Sequence, residues 1–470
     1  MNRKTCLVNH ETMCLLNHNI IKTRDDAHPM CFMYNDDQEY ILCEQHIGCS
    51  WCESSKTCDE KNLRERIEPW LTALFQSEHL SLLAGSGLTK GICEITHTKA
   101  TGMPAVNFTE FHDDIEAEVE KSAKAIGRSE GNFEDYIRVA STLLAGLEII
   151  KEPKAKILRA EIDQKIKEFT SSLLKTEAEL IGAKPEDRKE AFNCLVSFLM
   201  SFASRTGTRD RVNIFTTNYD RLIEEAADLA GLHLLDRFVG KLSPVFRASR
   251  LSLDLHYNPP GIRGEPRYLE GVARFTKLHG SLDWVQVGSL IRKIGLPFGA
   301  MEITPYLNAP GLEGASEFNL MIYPNSAKDR ETAAYPYVEL FRDFAAAICR
   351  PNSTVVTYGY SFGDEHINRV LQDMLTIPST HLVIISYDDK MGRIFDFYMQ
   401  AAHFEQITLL IGPNVAAIDS LTKKYLPKSA IDFATSKMGE LLQARWITCS
   451  PNEQKLSGME AKSPLKKGEK

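Results

Sequence analysis

Five short apolar runs in this chain each end abruptly in a polar turn. They are HLSLLAGSG from residue 79, VNIFTTNYD from 212, RFTKLHGSLDW from 274, STVVTYGYSFGD from 353 and HLVIISYD from 381. Runs of this length, rich in β-branched residues and closed by turn-forming ones, predict strands. Between and around them, apolar residues recur at steps of three and four. The segments RERIEPWLTALF, RLIEEAADLAG, YVELFRDFAAAICR, EHINRVLQDML and FDFYMQAAHF therefore predict helices. Gly231 is placed to stop the second of these.

Strands alternating with helices of ordinary length predict an α/β fold, a Rossmann-like, mostly parallel sheet covered on both faces. One region breaks the alternation. From about 110 to 205 the pattern is helical throughout, which predicts a helical insertion subdomain. The segment from 243 to 273 carries Pro and Gly without a clear period and reads as a loop-rich excursion. The expected division is a cysteine-rich extension and leading helix over 1–75, a Rossmann-like domain over 76–410, and a C-terminal extension over 411–470 that ends in the solvated tail KSPLKKGEK.

Composition narrows the picture in three ways. Fifty-five basic against 63 acidic side chains give a formal charge of -8, so broad electrostatic wrapping of nucleic acid is not expected, and contact with it would come through a partner. No stretch approaches the roughly 18 continuous apolar residues of a membrane span, and MNRKTCLVNHETMC turns polar too soon for a secretory leader. The 11 cysteines are an odd number, which argues against a purely intramolecular disulfide scaffold and makes a reducing cytoplasm the expected location. Seven of the 11 precede residue 60, and Cys43, Cys49, Cys52 and Cys58 crowd together as CEQHIGCSWCESSKTC. Soft thiolates at this density are weak candidates for a tetrahedral zinc site, since only Cys49 and Cys52 have a familiar half-site spacing; free thiols are the alternative.

Four polar clusters carry candidate chemistry, each at the carboxyl end of a predicted strand, where the ligand crevice of a parallel sheet lies. Gly85-Ser86-Gly87-Leu88-Thr89 offers a tight turn and close backbone approach to a pyrophosphate, although any sharp turn can use glycine. Thr216-Thr217-Asn218-Tyr219-Asp220 could simply cap the next helix, or could present Asn218 to a sugar or a water with Asp220 fixing the loop. His279 stands beside Gly280 at a strand end, where an imidazole could move protons or could be structural. Gly359, Ser361 and, on the next strand, Tyr387 form an edge suited to an adenosine. His366 and Asp364, two residues apart, point differently on a helix and do not make a metal site. No GxSxG elbow accompanies His279, which disfavours a Ser-His-Asp hydrolase.

In this order the clusters resemble the sirtuin (Sir2) superfamily, in particular its bacterial NAD⁺-consuming branch associated with phage defence. Gly85-Ser86-Gly87-Leu88-Thr89 is similar to the family's glycine turn, Thr216 to Asp220 to its Thr-x-Asn-x-Asp element, His279-Gly280 to its His-Gly pair and Gly359-Tyr360-Ser361 to its Gly-Thr-Ser turn. FTKLHGSLDW and YGYSFGDEHINRVL look especially like the bacterial branch. The resemblance implies NAD⁺ as substrate, with Asn218 and His279 catalytic beside the nicotinamide ribose. It implies cofactor-binding roles for Gly85, Ser86, Gly87, Thr89, Thr217, Asp220, Gly359, Ser361 and Tyr387. The zinc module that deacylating sirtuins carry between the Asn and His elements is missing, because no cysteine lies between Cys194 and Cys349. Water is therefore the expected acceptor and NAD⁺ glycohydrolysis the expected reaction. The same resemblance implies a homo-oligomer and a partner, such as a HerA-type ATPase, that holds the activity in check. Protein deacylation, ADP-ribosyl transfer and a non-catalytic NAD or ADP-ribose sensor are the alternatives.

Overall fold

In the computed structural model the described residues are 18–23, 26–35, 39–43, 57–103, 105–125, 130–205, 209–248, 254–257, 267–321 and 335–428. Those up to Leu426 fall in one compact unit. Its centre is an 11-stranded sheet. In chain order the strands are β1 (His18–Lys22), β2 (Met30–Tyr34), β3 (Glu39–Leu42), β4 (Thr57–Asp59), β5 (His79–Ala84), β6 (Asn213–Thr216), β7 (His233–Leu235), β8 (Val272–Lys277), β9 (Ser353–Tyr358), β10 (His381–Ser386) and β11 (Ile407–Ile411). They lie side by side as β4-β3-β2-β1-β11-β10-β9-β5-β6-β8-β7. From β11 to β7 every neighbour runs parallel, and β1 to β4 add an antiparallel edge beyond β11.

The parallel strands are apolar because both faces are covered. Every residue of β9 is buried, as are all but the first of β5 and β10. One face lies under α1 (Glu60–Phe75), α2 (Ser86–Ile95) and a later helix described below. The helical stretch consists of α3 (His112–Ala125), α4 (Phe133–Ile149), α5 (Ala155–Gly182) and α6 (Pro185–Ala203). It divides by packing. Leu195, Phe198 and Phe202 of α6 share the core of Leu80, Leu82 and Ile214, so α6 is that sheet-covering helix. Residues of α3 to α5 bury a separate core with Tyr219, Leu282 and Ile294. The other face of the sheet packs on α8 (Tyr337–Ile348), α9 (Glu365–Leu375) and α10 (Arg393–Gln400), while α7 (Leu222–Ala230) joins the α6 side.

Both ends of the described chain enter this unit. The stretch expected as an N-terminal extension supplies β1 to β4. Beyond residue 411, the expected start of a C-terminal extension, a helical segment over 413–425 packs on α6, with Cys194 Sγ 3.1 Å from Thr422 Oγ1, and the Tyr425 hydroxyl lies 3.2 Å from that of Tyr40 on β3. The tail from 429 onward lies outside the described residues. Among the described residues no helix is long and apolar enough to cross a membrane.

Candidate active site

Strand order reverses between β5 and β9: the chain leaves β5 toward β6 and β8 on one side and later returns to β9 on the other. Such a switch point opens a crevice at the carboxyl ends of the strands. Register places Ala84, Thr216, Lys277, Tyr358 and Ile385 in one row across β5, β6, β8, β9 and β10. Each polar cluster begins within three residues of that row, so the sheet brings all of them to one edge.

The glycine turn does its work through contact between backbones. A Cβ on Gly87 would stand 2.5 Å from the Gly359 Cα, and one on Gly85 2.6 Å from the Gly359 oxygen. Gly359 also holds φ at +58°, a left-handed conformation that glycine adopts without strain. The Gly85 amide donates to the Tyr358 carbonyl at 2.9 Å and the Gly87 amide to the Gly359 carbonyl at 2.9 Å. Neither glycine amide is therefore free for a pyrophosphate. What remains on this turn is Ser86, exposed at the start of α2. Ser86 lines a cavity of about 1010 Å³ together with Lys90, Gly359, Ser361, Tyr387 and Asp388.

Asn218 and His279 do not line that cavity. They stand beside it, in environments that fix their chemistry. Asn218 is 8% exposed, and its Nδ2 donates to the Gly85 carbonyl at 3.0 Å and to Thr89 Oγ1 at 3.1 Å. Thr89 in turn donates its single proton to Asp220 Oδ2 at 2.6 Å. A carbonyl and a carboxylate can only accept, so the amide must present Nδ2 here and Oδ1 on the other side. Among the described residues Oδ1 has no hydrogen-bond partner. The backbone is held too: Asn218 N donates to Thr216 Oγ1 at 3.1 Å, and Thr217 N donates to the Ala84 carbonyl at 3.3 Å.

His279 lies one strand over. Its Nε2 is 2.9 Å from Asp364 Oδ2, and its side chain is 18% exposed. For the neutral ring beside an ionised carboxylate, the proton sits on Nε2 and leaves Nδ1 as the acceptor. Asp364 is fixed in turn as the N-cap of α9, its Oδ1 accepting from the amides of His366 at 3.0 Å and Ile367 at 3.4 Å. Gly280 next to His279 has φ +91°, and a Cβ there would meet the Met321 oxygen at 1.9 Å, so only glycine lets that loop pass. Phe362 packs behind Ser361, its ring 4.9 Å from that of Tyr360 and 4.7 Å from that of Phe397.

Beneath these side chains runs a buried ionic layer. Lys277 is 1% exposed and donates to the carbonyls of Tyr219 and Asp220 and, at 2.9 Å, to Glu224 Oε1. Burial pushes the Glu224 carboxyl up, although Lys277 opposes it. Burial acts the same way on Asp283, but Lys293, Lys277 and Arg221 outweigh it and hold that carboxyl below its ordinary value. Arg221 pairs with the wholly buried Glu177 of α5 at 2.5 Å, so the helical region is bolted to the Asn218 loop.

Lys277 is not singled out by the sequence, and Asp364 is read there only beside His366. Asp364 is two residues from His366, and that local pairing hides its real partner 85 positions away. Lys277, which closes the buried strand VARFTK, is the visible signal: a lysine continuing a buried strand needs acceptors. Of the cysteine candidates, Cys49 and Cys52 lie outside the described residues. Cys58 is opposite Tyr40 on β4, packed into the core, whereas Cys43 lies with Cys31 and His18.

Comparison with known proteins bears on this edge of the sheet. Residues 212–403, which run from the start of β6 to just past α10, match the model of the SIR2-like domain. That span takes in Asn218, His279, Ser361 and Tyr387 but not the Gly85 turn. A solved structure described as "The Structural basis of Sirtuin Substrate Affinity" is similar at 14% identity, over 80% of this chain and 99% of that one, with a TM-score of 0.33. No curated protein matches the chain.

Proposed function

We propose that this chain is a Sir2-like enzyme that cleaves NAD⁺ between nicotinamide and ribose and passes the ADP-ribosyl group to water. The observation that carries this reading is the pair of oriented acceptors at neighbouring strand ends, Asn218 Oδ1 and His279 Nδ1, beside a cavity large enough for a nucleotide. The SIR2-like match over both residues supports NAD as the substrate class.

In this reaction the C1′–N bond breaks, nicotinamide leaves as a neutral molecule, and positive charge develops on the ribose. A bond then forms from C1′ to water, and one proton is released. Asn218, whose amide hydrogens are both engaged, acts as an acceptor toward a ribose hydroxyl or the attacking water. His279 Nδ1 takes up the released proton, and the Asp364 carboxylate stabilises the resulting imidazolium. Ser86 at the start of α2 suits a phosphate, and Ser361 and Tyr387 suit the adenosine side. Turnover of this kind must be restrained in the cell that makes the enzyme. We assign it to an anti-phage effector that assembles as a homo-oligomer and is gated by a partner of the HerA ATPase class or by another trigger, on the strength of the bacterial-branch resemblance.

The test follows nicotinamide and ADP-ribose release by the purified chain, with and without the ATPase. Turnover is expected to be slow or absent alone, to appear with the partner, and to be lost in Asn218→Ala and His279→Ala. Release that survives both substitutions refutes the assigned site. Release that needs an acetylated peptide replaces hydrolysis with deacylation.

A further inference from the structure

At the antiparallel edge of the sheet, far along it from Asn218, the geometry points to a second site: we propose that His18, Cys31 and Cys43 bind a zinc ion. Three neighbouring strands supply the three side chains. Cys31 on β2 faces Cys43 at the end of β3, with the Cys43 amide donating to the Cys31 carbonyl at 3.0 Å. On β1, Ile20 is the register partner of Cys31, and His18 is two residues away on the same face. The two sulfurs are 3.3 Å apart, and a ring nitrogen of His18 lies within 4.8 Å of both. His18 Nδ1 is buried and has no hydrogen-bond partner among the described residues. A buried imidazole nitrogen is ordinarily satisfied, so an unpartnered one on this ring calls for an explanation.

Magnitudes favour a metal. Tetrahedral zinc with bonds of about 2.3 Å to sulfur and about 2.0 Å to nitrogen needs its ligand atoms roughly 3.5–3.8 Å apart. The sulfurs need open by only about half an ångström to reach that spacing. They would have to close by more than an ångström to reach the roughly 2.05 Å of a disulfide. Two thiolates and an imidazole are also a donor set that selects zinc over hard cations. Binding converts both thiols to thiolates, releasing two protons, and leaves the imidazole neutral. Three ligands fill three tetrahedral corners, and the fourth takes water or another donor. The ion would clip β1, β2 and β3, which form the part of the sheet without parallel neighbours.

The test is metal analysis of the full chain purified under reducing conditions without chelator. One equivalent of zinc per chain is expected in the wild type and a loss of most of it in Cys43→Ser, whose side chain is only half-buried and whose fold is checked by circular dichroism. His18→Ala, which leaves every cysteine in place, is the second variant. Cobalt substituted for zinc should show thiolate-to-metal charge transfer in the wild type that is largely lost in Cys43→Ser, in line with the loss of the metal. A chelator should lower the melting temperature of the wild type and leave that of Cys43→Ser unmoved. Zinc retained at one equivalent in both variants overturns the proposal, as does a metal-free wild type with Cys31 and Cys43 joined in a disulfide.

Discussion

Thr89→Val isolates the hydroxyl that orients Asn218. Threonine and valine have the same shape, so the substitution removes one oxygen and leaves the packing almost unchanged. Thr89, Asn218 and Asp220 are 7, 8 and 8% exposed, so water cannot readily replace what is lost. Two hydrogen bonds go: the 2.6 Å donation to the Asp220 carboxylate and the 3.1 Å acceptance from Asn218. A hydrogen bond to a charged group contributes about 1.5–3 kcal/mol and a neutral one about 1 kcal/mol. Asp220 still accepts from the Leu222 amide at 3.2 Å and Asn218 still donates to Gly85, so the expected cost is about 2–4 kcal/mol. Thr89→Ser keeps the hydroxyl and loses one buried methyl, about 1 kcal/mol. Guanidinium unfolding of the two variants should therefore place the valine protein below the serine protein by at least about 1 kcal/mol. In the NAD⁺ assay the valine variant should lose kcat while the serine variant keeps it, because an amide free to turn no longer presents Oδ1. If valine is as stable and as active as serine, the hydroxyl does not bridge Asp220 and Asn218, and the assigned orientation of the amide fails.

Three further outcomes follow from other parts of the fold. Gly359→Ala should cost about 3 kcal/mol or more, or abolish soluble expression, because its Cβ would stand 2.5 Å from the Gly87 Cα. Gly314→Ala has a similarly positive φ of +81° but open space around it, so it should cost only about 1–2 kcal/mol; equal melting temperatures for the two would refute the close-packing argument. Glu177→Ala leaves Arg221 buried without its carboxylate and should destabilise by about 3–5 kcal/mol, with Glu177→Gln losing less; a chemical melt that separates neither from wild type refutes the bolt between α5 and the Asn218 loop. His381 is pushed down to about 4, chiefly by burial, and its Nε2 is 2.8 Å from Thr408 Oγ1. The unfolded chain, near 6.5, binds the proton more readily, so the stabilisation is present above pH 6.5 and is lost as pH falls toward 4, by up to about 3 kcal/mol at 1.36 kcal/mol per pH unit. His381→Gln should flatten this part of the stability profile, and an unchanged slope would show that another group titrates there.

The sequence by itself determined five of the seven parallel strands of this protein; β7 and β11 have no counterpart among the predicted runs. β5, β6, β8, β9 and β10 are short apolar runs closed by polar turns, and each was legible because its burial and its turn are properties of adjacent residues. The polar clusters were legible for the same reason: Asn218, His279, Gly359 and Ser361 sit at strand ends, and the ends of parallel strands meet. Tertiary structure alone decided the rest. β1 to β4 are short, carry no run longer than five residues, and become strands only because β11 offers β1 an edge nearly 400 positions away. Whether α6 belonged with α3 to α5 or with the sheet could not be read from a helical period, since the period says which face is buried and not against what. The glycines near residue 86 look like phosphate binders in the sequence, yet their amides are taken by the β9 turn, a contact set by topology. The same holds for Asp364 beneath His279 and for Glu177 beneath Arg221. Local chemistry supplied the acceptors and donors; pairing across tens or hundreds of residues chose which of them meet.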